Sequence, residues 1–123
     1  MTWLLDSYAI VEMIRGNPNY RGYRGDPAIT ILPNLAESYY VLAAQGQIEL
    51  ATICVETLSP IVVPVPISLI PPAMDFRRKV RGATGERFSY ADAFGYSLAL
   101  LTGCGFLTGA HEFRGFPSVE FVR

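Results

Sequence analysis

The feature that most constrains this chain is the regular alternation of short apolar runs with longer segments of helical periodicity. The apolar runs predict strands at 3–5, 28–31, 61–63, 106–108 and 119–122. Helical patterns ended by glycine or proline predict helices at 8–15, 34–45, 48–58 and 89–102, and one that begins at Ser68 or at the Pro71–Pro72 pair and ends near 81. Strands separated by helices form right-handed crossovers, so the order predicts a parallel sheet covered on both faces. Pro64 at the end of the third strand predicts an edge position, because proline cannot donate to a strand ladder.

Size and composition favour one domain over residues 1–123, because no linker-like segment divides the chain. Half of the residues are hydrophobic and 17% are charged, which excludes a disordered chain. The net charge of −1 indicates no global electrostatic field for nucleic acid. No apolar run is long and uninterrupted enough for a membrane span, and residues 1–13 carry acids without lysine or arginine, unlike a signal peptide. We therefore expect a cytoplasmic protein without a membrane partner.

Three carboxylates lie at the end of a predicted strand or near the start of a predicted helix, where ligand sites form in parallel sheets. Asp6 comes directly after the first strand, Glu37 lies early in the helix after the second, and Asp92 lies in the first turn of the fifth helix. Each has an ordinary structural interpretation: Asp6 as a helix cap, and Asn34 with Glu37 and Ser89 with Asp92 as capping boxes. Caps alone do not explain three acids at one rim, since their charges repel one another. A shared divalent metal ion accounts for the set better.

The motifs around these acids occur in a recognisable order. They read Leu4-Leu5-Asp6-Ser7, then 34–40 (NLAESYY), then 88–93 (FSYADA), then 106–113 (FLTGAHEF). In order, spacing and predicted elements this series resembles the PIN-domain family, and within it the toxin ribonucleases of bacterial and archaeal toxin–antitoxin pairs. The resemblance implies a single-domain, three-layer α/β/α sandwich with a mainly parallel central sheet.

The resemblance also implies a function and a set of ligands. It makes the chain a ribonuclease that uses Mg²⁺ or Mn²⁺, with Asp6, Glu37 and Asp92 as catalytic metal ligands, RNA as substrate and an antitoxin protein as partner. The family has a fourth acid two residues after the threonine of its last motif, where this chain has Ala110. Two functions therefore stay open: an endoribonuclease attenuated at this position, or a catalytically silent PIN domain that binds RNA or an antitoxin.

Residues near Ala110 offer substitutes for the missing acid. Glu112 supplies a carboxylate and is the further metal-ligand candidate, whereas the imidazole of His111 is a poor ligand for Mg²⁺. Thr108 has two interpretations, binding a water or phosphate at the metal, or capping the turn.

Two basic groups are candidates for RNA or protein contacts. One contains Arg77, Arg78, Lys79 and Arg81, with Arg87 shortly after; the other contains Arg15, Tyr20, Arg21, Tyr23 and Arg24. The second mixes cations with aromatic rings, as phosphate neutralisation and base stacking require. The helices around 37–58 carry more apolar residues than one helix stripe buries, which predicts a homodimer through them (Tyr39, Tyr40, Val41, Leu42, Ile48, Leu50, Ile53 and Val55).

Overall fold

The computed structural model describes residues 1–86 and 88–123, so Arg87 of the first basic group lies outside the described residues. The strands are β1 (Trp3–Leu5), β2 (Ala28–Ile31), β3 (Val62–Val63), β4 (Gly105–Thr108) and β5 (Val119–Phe121). The α-helices are α1 (Ser7–Ile14), α2 (Leu32–Ala44), α3 (Ile48–Leu58), α4 (Ile70–Thr84) and α5 (Tyr90–Thr102). Among the residues described, no helix combines the length and apolar character that crossing a membrane requires.

The five strands form one sheet in the order β3-β2-β1-β4-β5, and every neighbouring pair is parallel. This confirms the predicted parallel sheet and the edge position of the third strand. The chain runs from β1 to β2 and β3 on one side, then returns to β4 on the other side of β1. The carboxyl ends of β1 and β4 therefore lie where the strand order reverses, which is the usual ligand position in such sheets.

Side chains alternate between the two faces of the sheet and build two cores. Leu4 and Phe106 pack with residues of α4 and α5, whereas Leu5 and Leu107 pack with residues of α1, α2 and α3. Helices thus cover both faces. The expected three-layer α/β/α sandwich is confirmed.

The start of α2 differs from the prediction. The helix begins at Leu32 rather than at Asn34, and Ile31 occupies the cap position without a side-chain cap bond. Pro33 fits the first turn, where its missing N–H costs no hydrogen bond, so the helix starts directly from β2. Asn34 is buried inside the helix, next to Gly95 of α5. The predicted capping box of Asn34 and Glu37 is therefore wrong.

The segment predicted as a polar loop at 17–27 contains a 3₁₀ helix, Pro18–Tyr23. Its Tyr20 is fully buried, and the phenol donates a hydrogen bond to the carbonyl of Val122 at 2.5 Å. This ring closes the core beneath α1, so aromatic content in this segment serves packing. In α4, the Pro71–Pro72 alternative is the correct one, because the helix starts at Ile70 and both prolines fall in its first turn.

Candidate metal centre

Asp6 directly follows β1, and its carboxylate is almost completely buried, with 1% of the residue exposed. It caps α1: Oδ1 accepts from the backbone N–H of Ala9 at 2.8 Å. Oδ2 accepts from the hydroxyl of Thr108, which follows from the register, since Leu5 pairs with Leu107 and the next residues along both strands are neighbours. Burial raises the pKa of Asp6 from 3.8 to about 7, against the lowering effect of these two bonds, and the charges of Asp92 and Glu37 raise it further.

Asp92 lies in the first turn of α5 within a complete capping box. Its backbone N–H donates to Ser89 Oγ at 3.0 Å, and its Oδ2 accepts from the backbone N–H of Ser89 at 3.0 Å. The capping interpretation of this pair is therefore correct, and the bond from Ser89 occupies only one of the two carboxylate oxygens. Burial is the main cause that raises the pKa of Asp92, and Glu37 and Glu112 add to it.

Glu37 is held by a contact between two helices rather than by a cap. Its Oε1 accepts from the hydroxyl of Ser7 in the first turn of α1 at 2.6 Å. This bond ties α2 to the residue that follows Asp6. The side chain is half-buried.

Asp6, Glu37 and Asp92 line one cleft of about 340 Å³. The remaining lining comes mostly from α1 and from the turn after β4, and consists of Ser7, Tyr8, Val11, Glu12, Arg15, Val41, Ala110 and Glu112. The three acids that the sequence singled out thus lie in one place. Counted over the described residues, the lining contains five carboxylates and one guanidinium.

Among the described residues, none of the three carboxylates has a lysine or arginine nitrogen within 4.0 Å. Arg15, the cation of the lining, donates instead from Nε and Nη2 to Gln47 Oε1 at 3.2 and 3.0 Å. Within the part of the chain that the structure describes, the three carboxylates thus contact neutral donors. Oxygen donors without an internal cation suit a hard divalent ion such as Mg²⁺ or Mn²⁺.

Three other side chains lie close enough together to share one ion directly. Within the described part of the chain they are Glu86, His111 and Glu112, whose ligand atoms lie within 4.8 Å of one another. Asp6, Glu37 and Asp92 are spaced more widely than that. A wider spacing suits Mg²⁺, which keeps several waters between itself and protein oxygens.

The turn after β4 carries Ala110 into the cleft lining, where the resemblance expects the fourth acid. Thr108 Oγ1 accepts from the backbone N–H of Ala110 at 3.0 Å, so the buried threonine fixes both the turn and Asp6. Gly109 is required there, because a Cβ would come within 2.3 Å of the carbonyl oxygen of Val122. Glu112 also lines the cleft, and the exposed His111 places Nδ1 3.5 Å from its Oε1.

Sequence reasoning missed the contribution of α1. Tyr8, Glu12 and Arg15 line the cleft, and Glu12 accepts from Asn17 Nδ2 at 2.9 Å. The signal was present in the spacing: once Asp6 caps the helix at the rim, residues three and four apart share the face beside it.

The two basic groups of the sequence differ in what their side chains contact. In the second group Tyr20 is buried, the Tyr23 hydroxyl donates to Glu120 at 3.0 Å, and Arg24 donates to the carbonyl of Met13 at 2.6 Å. Its aromatic rings are therefore structural. In the first group, Arg77 Nε donates to the carbonyl of Phe88 at 2.7 Å and its guanidinium lies 4.7 Å from the ring centre of Tyr90.

No family model and no curated protein matches the chain. Solved structures do. They include VapBC2 from Rickettsia felis bound to a DNA fragment from its promoter (TM-score 0.74, 14% identity, 100% of both chains). VapBC-1 from nontypeable Haemophilus influenzae has a TM-score of 0.70 at 15% identity, covering 98% of this chain and 96% of that one. The Mycobacterium tuberculosis VapC20, a Sarcin-Ricin loop cleaving toxin, has a TM-score of 0.69 at 18% identity, covering 95% and 98%. At these identities the likeness concerns the fold, and the expected PIN-like fold is confirmed.

The raised pKa of Asp6 predicts that the metal-free protein loses stability as the pH rises. Between about pH 4 and 7 the folded state holds a proton that the unfolded state has released, so the free energy of unfolding falls through this range, by at most about 4 kcal/mol. We expect thermal unfolding in EDTA to occur several degrees higher at pH 5 than at pH 8, and Asp6→Asn to flatten the difference.

Asp75→Asn is the matched control, because Asp75 is an exposed aspartate paired with Arg78 at 3.7 Å. Its pH dependence should equal that of the wild type. An unchanged slope in Asp6→Asn would show that the pH dependence does not come from Asp6. A large loss of stability in that variant at pH 8 would show that capping α1 outweighs the burial of the charge.

Proposed function

We propose that this protein is a metal-dependent endoribonuclease that hydrolyses RNA phosphodiester bonds, and that it is the toxin of a toxin–antitoxin pair. The observation that carries the proposal is the cleft lined by Asp6, Glu37 and Asp92, none of which pairs with a cation among residues 1–86 and 88–123. The likeness in fold to VapBC structures, including a toxin that cleaves the Sarcin-Ricin loop, supports the same activity.

The ligands in this proposal are Asp6, Glu37 and Asp92, with Glu112 as a further carboxylate in the same cleft. Each of the first three is anchored through a neutral donor (Ala9 N–H, Ser7 hydroxyl, Ser89 N–H) and keeps lone pairs for a cation or its waters. Bound Mg²⁺ or Mn²⁺ would neutralise charge on the phosphate and lower the pKa of an attacking water.

The side chains of the protein would orient the reaction. Glu37 is half-buried, and Ser7 donates to its Oε1. We therefore assign Oε2 of Glu37 the role of general base, which accepts the proton of the attacking water. The water oxygen forms a bond to phosphorus, and the bond from phosphorus to the 3′ oxygen breaks. The 3′ oxygen takes up a proton from solvent, which leaves 3′-hydroxyl and 5′-phosphate ends.

Ala110 favours a second candidate function. With alanine in the cleft lining at the position of the family's fourth acid, the site has one charge less for the metal. A catalytically silent domain that binds RNA or an antitoxin would need no complete ligand set. The two candidates differ in whether RNA is cut when a divalent metal is present.

We place the protein in the cytoplasm with two protein partners, an antitoxin and a second copy of itself. A surface groove of about 520 Å³ has an almost entirely apolar lining that includes Leu32, Ile67 and Phe94, and it suits an amphipathic partner segment. Leu42 is buried and belongs to the protein's own core, but Tyr40, Ile48 and Ile53 remain at least half exposed on α2 and α3. These residues suit an interface between two copies.

Cleavage of RNA tests the proposed activity. We expect the wild type to cut a mixed pool of fluorescent single-stranded and hairpin RNAs with Mn²⁺ or Mg²⁺, and to stop in EDTA. Asp92→Asn keeps the capping geometry but removes a charge, and should lower the rate at least about 100-fold, since even groups that only support metal ligands cost 10–100-fold. Asp75→Asn should cut normally. Binding of RNA without metal-dependent cleavage would favour the silent alternative.

Restoring the fourth acid should strengthen the site. Ala110 faces the cleft, so Ala110→Asp adds a carboxylate where a water now has to serve, and we expect metal binding to tighten about tenfold with a faster rate of cleavage. Mn²⁺ titration by calorimetry measures the affinity. Ala110→Asn is the control of equal size without the charge. If both variants bind Mn²⁺ like the wild type, position 110 does not reach the ion, and Glu112→Gln becomes the next variant.

The homodimer predicts a mass twice that of one chain by light scattering at micromolar concentration. Ile53→Asp places a charge on the exposed face of α3 and should release the monomer without a loss of thermal stability, because this side chain is 51% exposed. Ile67→Asp, at an 83% exposed position outside these helices, is the control and should leave the mass unchanged. A monomeric wild type would refute the interface.

A further inference from the structure

Tyr90, the first residue of α5, has an exposed aromatic side chain. The residue is 62% exposed and lies two positions before Asp92, which lines the acidic cleft. Exposed aromatic rings are groups on which nucleic-acid bases stack. We propose that Tyr90 and Arg77 form a platform on which a base of the bound RNA stacks beside the cleft.

Arg77 holds the ring from one side. Its guanidinium carbon lies 4.7 Å from the centre of the Tyr90 ring, in the geometry of a cation–π contact. The same guanidinium is tethered, because Nε donates to the backbone carbonyl of the buried Phe88 at 2.7 Å. With Arg77 over one face of the ring, Tyr90 still exposes 62% of its surface, so the residue stays accessible to a base. The platform is therefore fixed before a ligand arrives, which lowers the entropic cost of binding.

The charge around the platform suits RNA. The cleft itself carries five carboxylates and repels phosphates, so a nucleic acid needs cations beside it. Helix α4 supplies them with Arg77, Arg78, Lys79 and Arg81, against one acid, Asp75. Arg77 lies beside the start of α5, because it contacts Phe88 and Tyr90, and Arg81, four residues later on α4, shares its helix face.

The position of the platform indicates which part of the RNA it contacts. Tyr90 and Asp92 are separated by about 3 Å along the helix axis and by slightly more than half a turn around it. The ring therefore does not point into the cleft with Asp92. A base stacked on it belongs to a nucleotide near the cleaved bond rather than at the bond itself, so the platform contributes to binding and to the choice of the site.

This inference rests on the proposed function for its ligand, and its test separates the two. RNA affinity is measured by fluorescence anisotropy with Ca²⁺ in place of Mg²⁺, using a labelled single-stranded RNA dodecamer and an abasic ribose–phosphate oligomer of the same length. We expect Tyr90→Ala and Tyr90→Leu to weaken RNA binding about tenfold, since stacking contributes about 1–3 kcal/mol per base. Both should bind the abasic oligomer within about twofold of the wild type, because no base is there to stack.

Two controls define the contribution of the ring. Tyr90→Phe keeps the aromatic face and should bind RNA within about twofold of the wild type. Leu101→Ala removes a similarly exposed side chain, 65%, from the other end of α5 and should have no effect. Thermal unfolding of each variant checks the fold. The platform is refuted if Tyr90→Ala binds RNA like the wild type, as expected for a residue that contacts only a protein partner, or if it loses equal affinity for the abasic oligomer.

Cleavage in Mn²⁺ supplies the separate readout for the activity. If Tyr90→Ala weakens RNA binding but the wild type does not cut RNA, the platform is supported and the ribonuclease activity is refuted. If the wild type cuts RNA but Tyr90→Ala binds RNA as tightly as the wild type, the activity is supported and the platform is refuted. A wild type that binds no RNA refutes both.

Discussion

The carboxylate of Asp6, 1% exposed at the end of the central strand β1, is the group on which the rest of the site depends. Its two oxygens accept from Ala9, in the first turn of α1, and from Thr108, which ends β4. One side chain thus fixes the first helix and the turn after β4 relative to each other at the point where the strand order reverses. Burial gives the Asp6 carboxylate its fixed contacts with both elements, and the same burial raises the free energy of its ionised form.

The neighbouring acids are anchored in the same way, by neutral hydrogen-bond donors. Ser7 donates to Glu37 and the backbone N–H of Ser89 donates to Asp92, whereas Arg15 in the cleft lining is bound to Gln47. Neutral donors set the orientation of a carboxylate without cancelling its charge. A salt bridge in the same place would have stabilised the free protein and blocked a cation. The cleft therefore keeps a negative charge that a cation from solvent can neutralise.

Local signals predicted most of the fold. Strand 28–31 and helix 48–58 match the structure to the residue, and Ser89 caps α5 with Asp92 as its spacing indicated. The failures have tertiary causes. Asn34 has the spacing of a cap, but Pro33 lets α2 start directly from β2 and turns Asn34 inward. Tyr20 lies in a segment whose mixture of arginine and tyrosine resembles an RNA-contacting loop, but its ring fills the core beneath α1. In both cases burial is set by an element that is distant in the sequence, and the local sequence pattern does not show which side chains that element will cover.

The alanine at position 110 has a physical reason as well as a cost. A carboxylate there would lie in the same cleft as Asp6, Glu37 and Asp92, on the turn whose N–H is bonded to Thr108. Without metal it would raise the free energy of the ionised Asp6 further, because the coulombic contributions of Glu37 and Asp92 already act in that direction. Alanine avoids this repulsion in the free protein, and under the proposed function it also leaves one carboxylate fewer for a metal ion. Stability without metal and affinity for metal would therefore vary in opposite directions at this position.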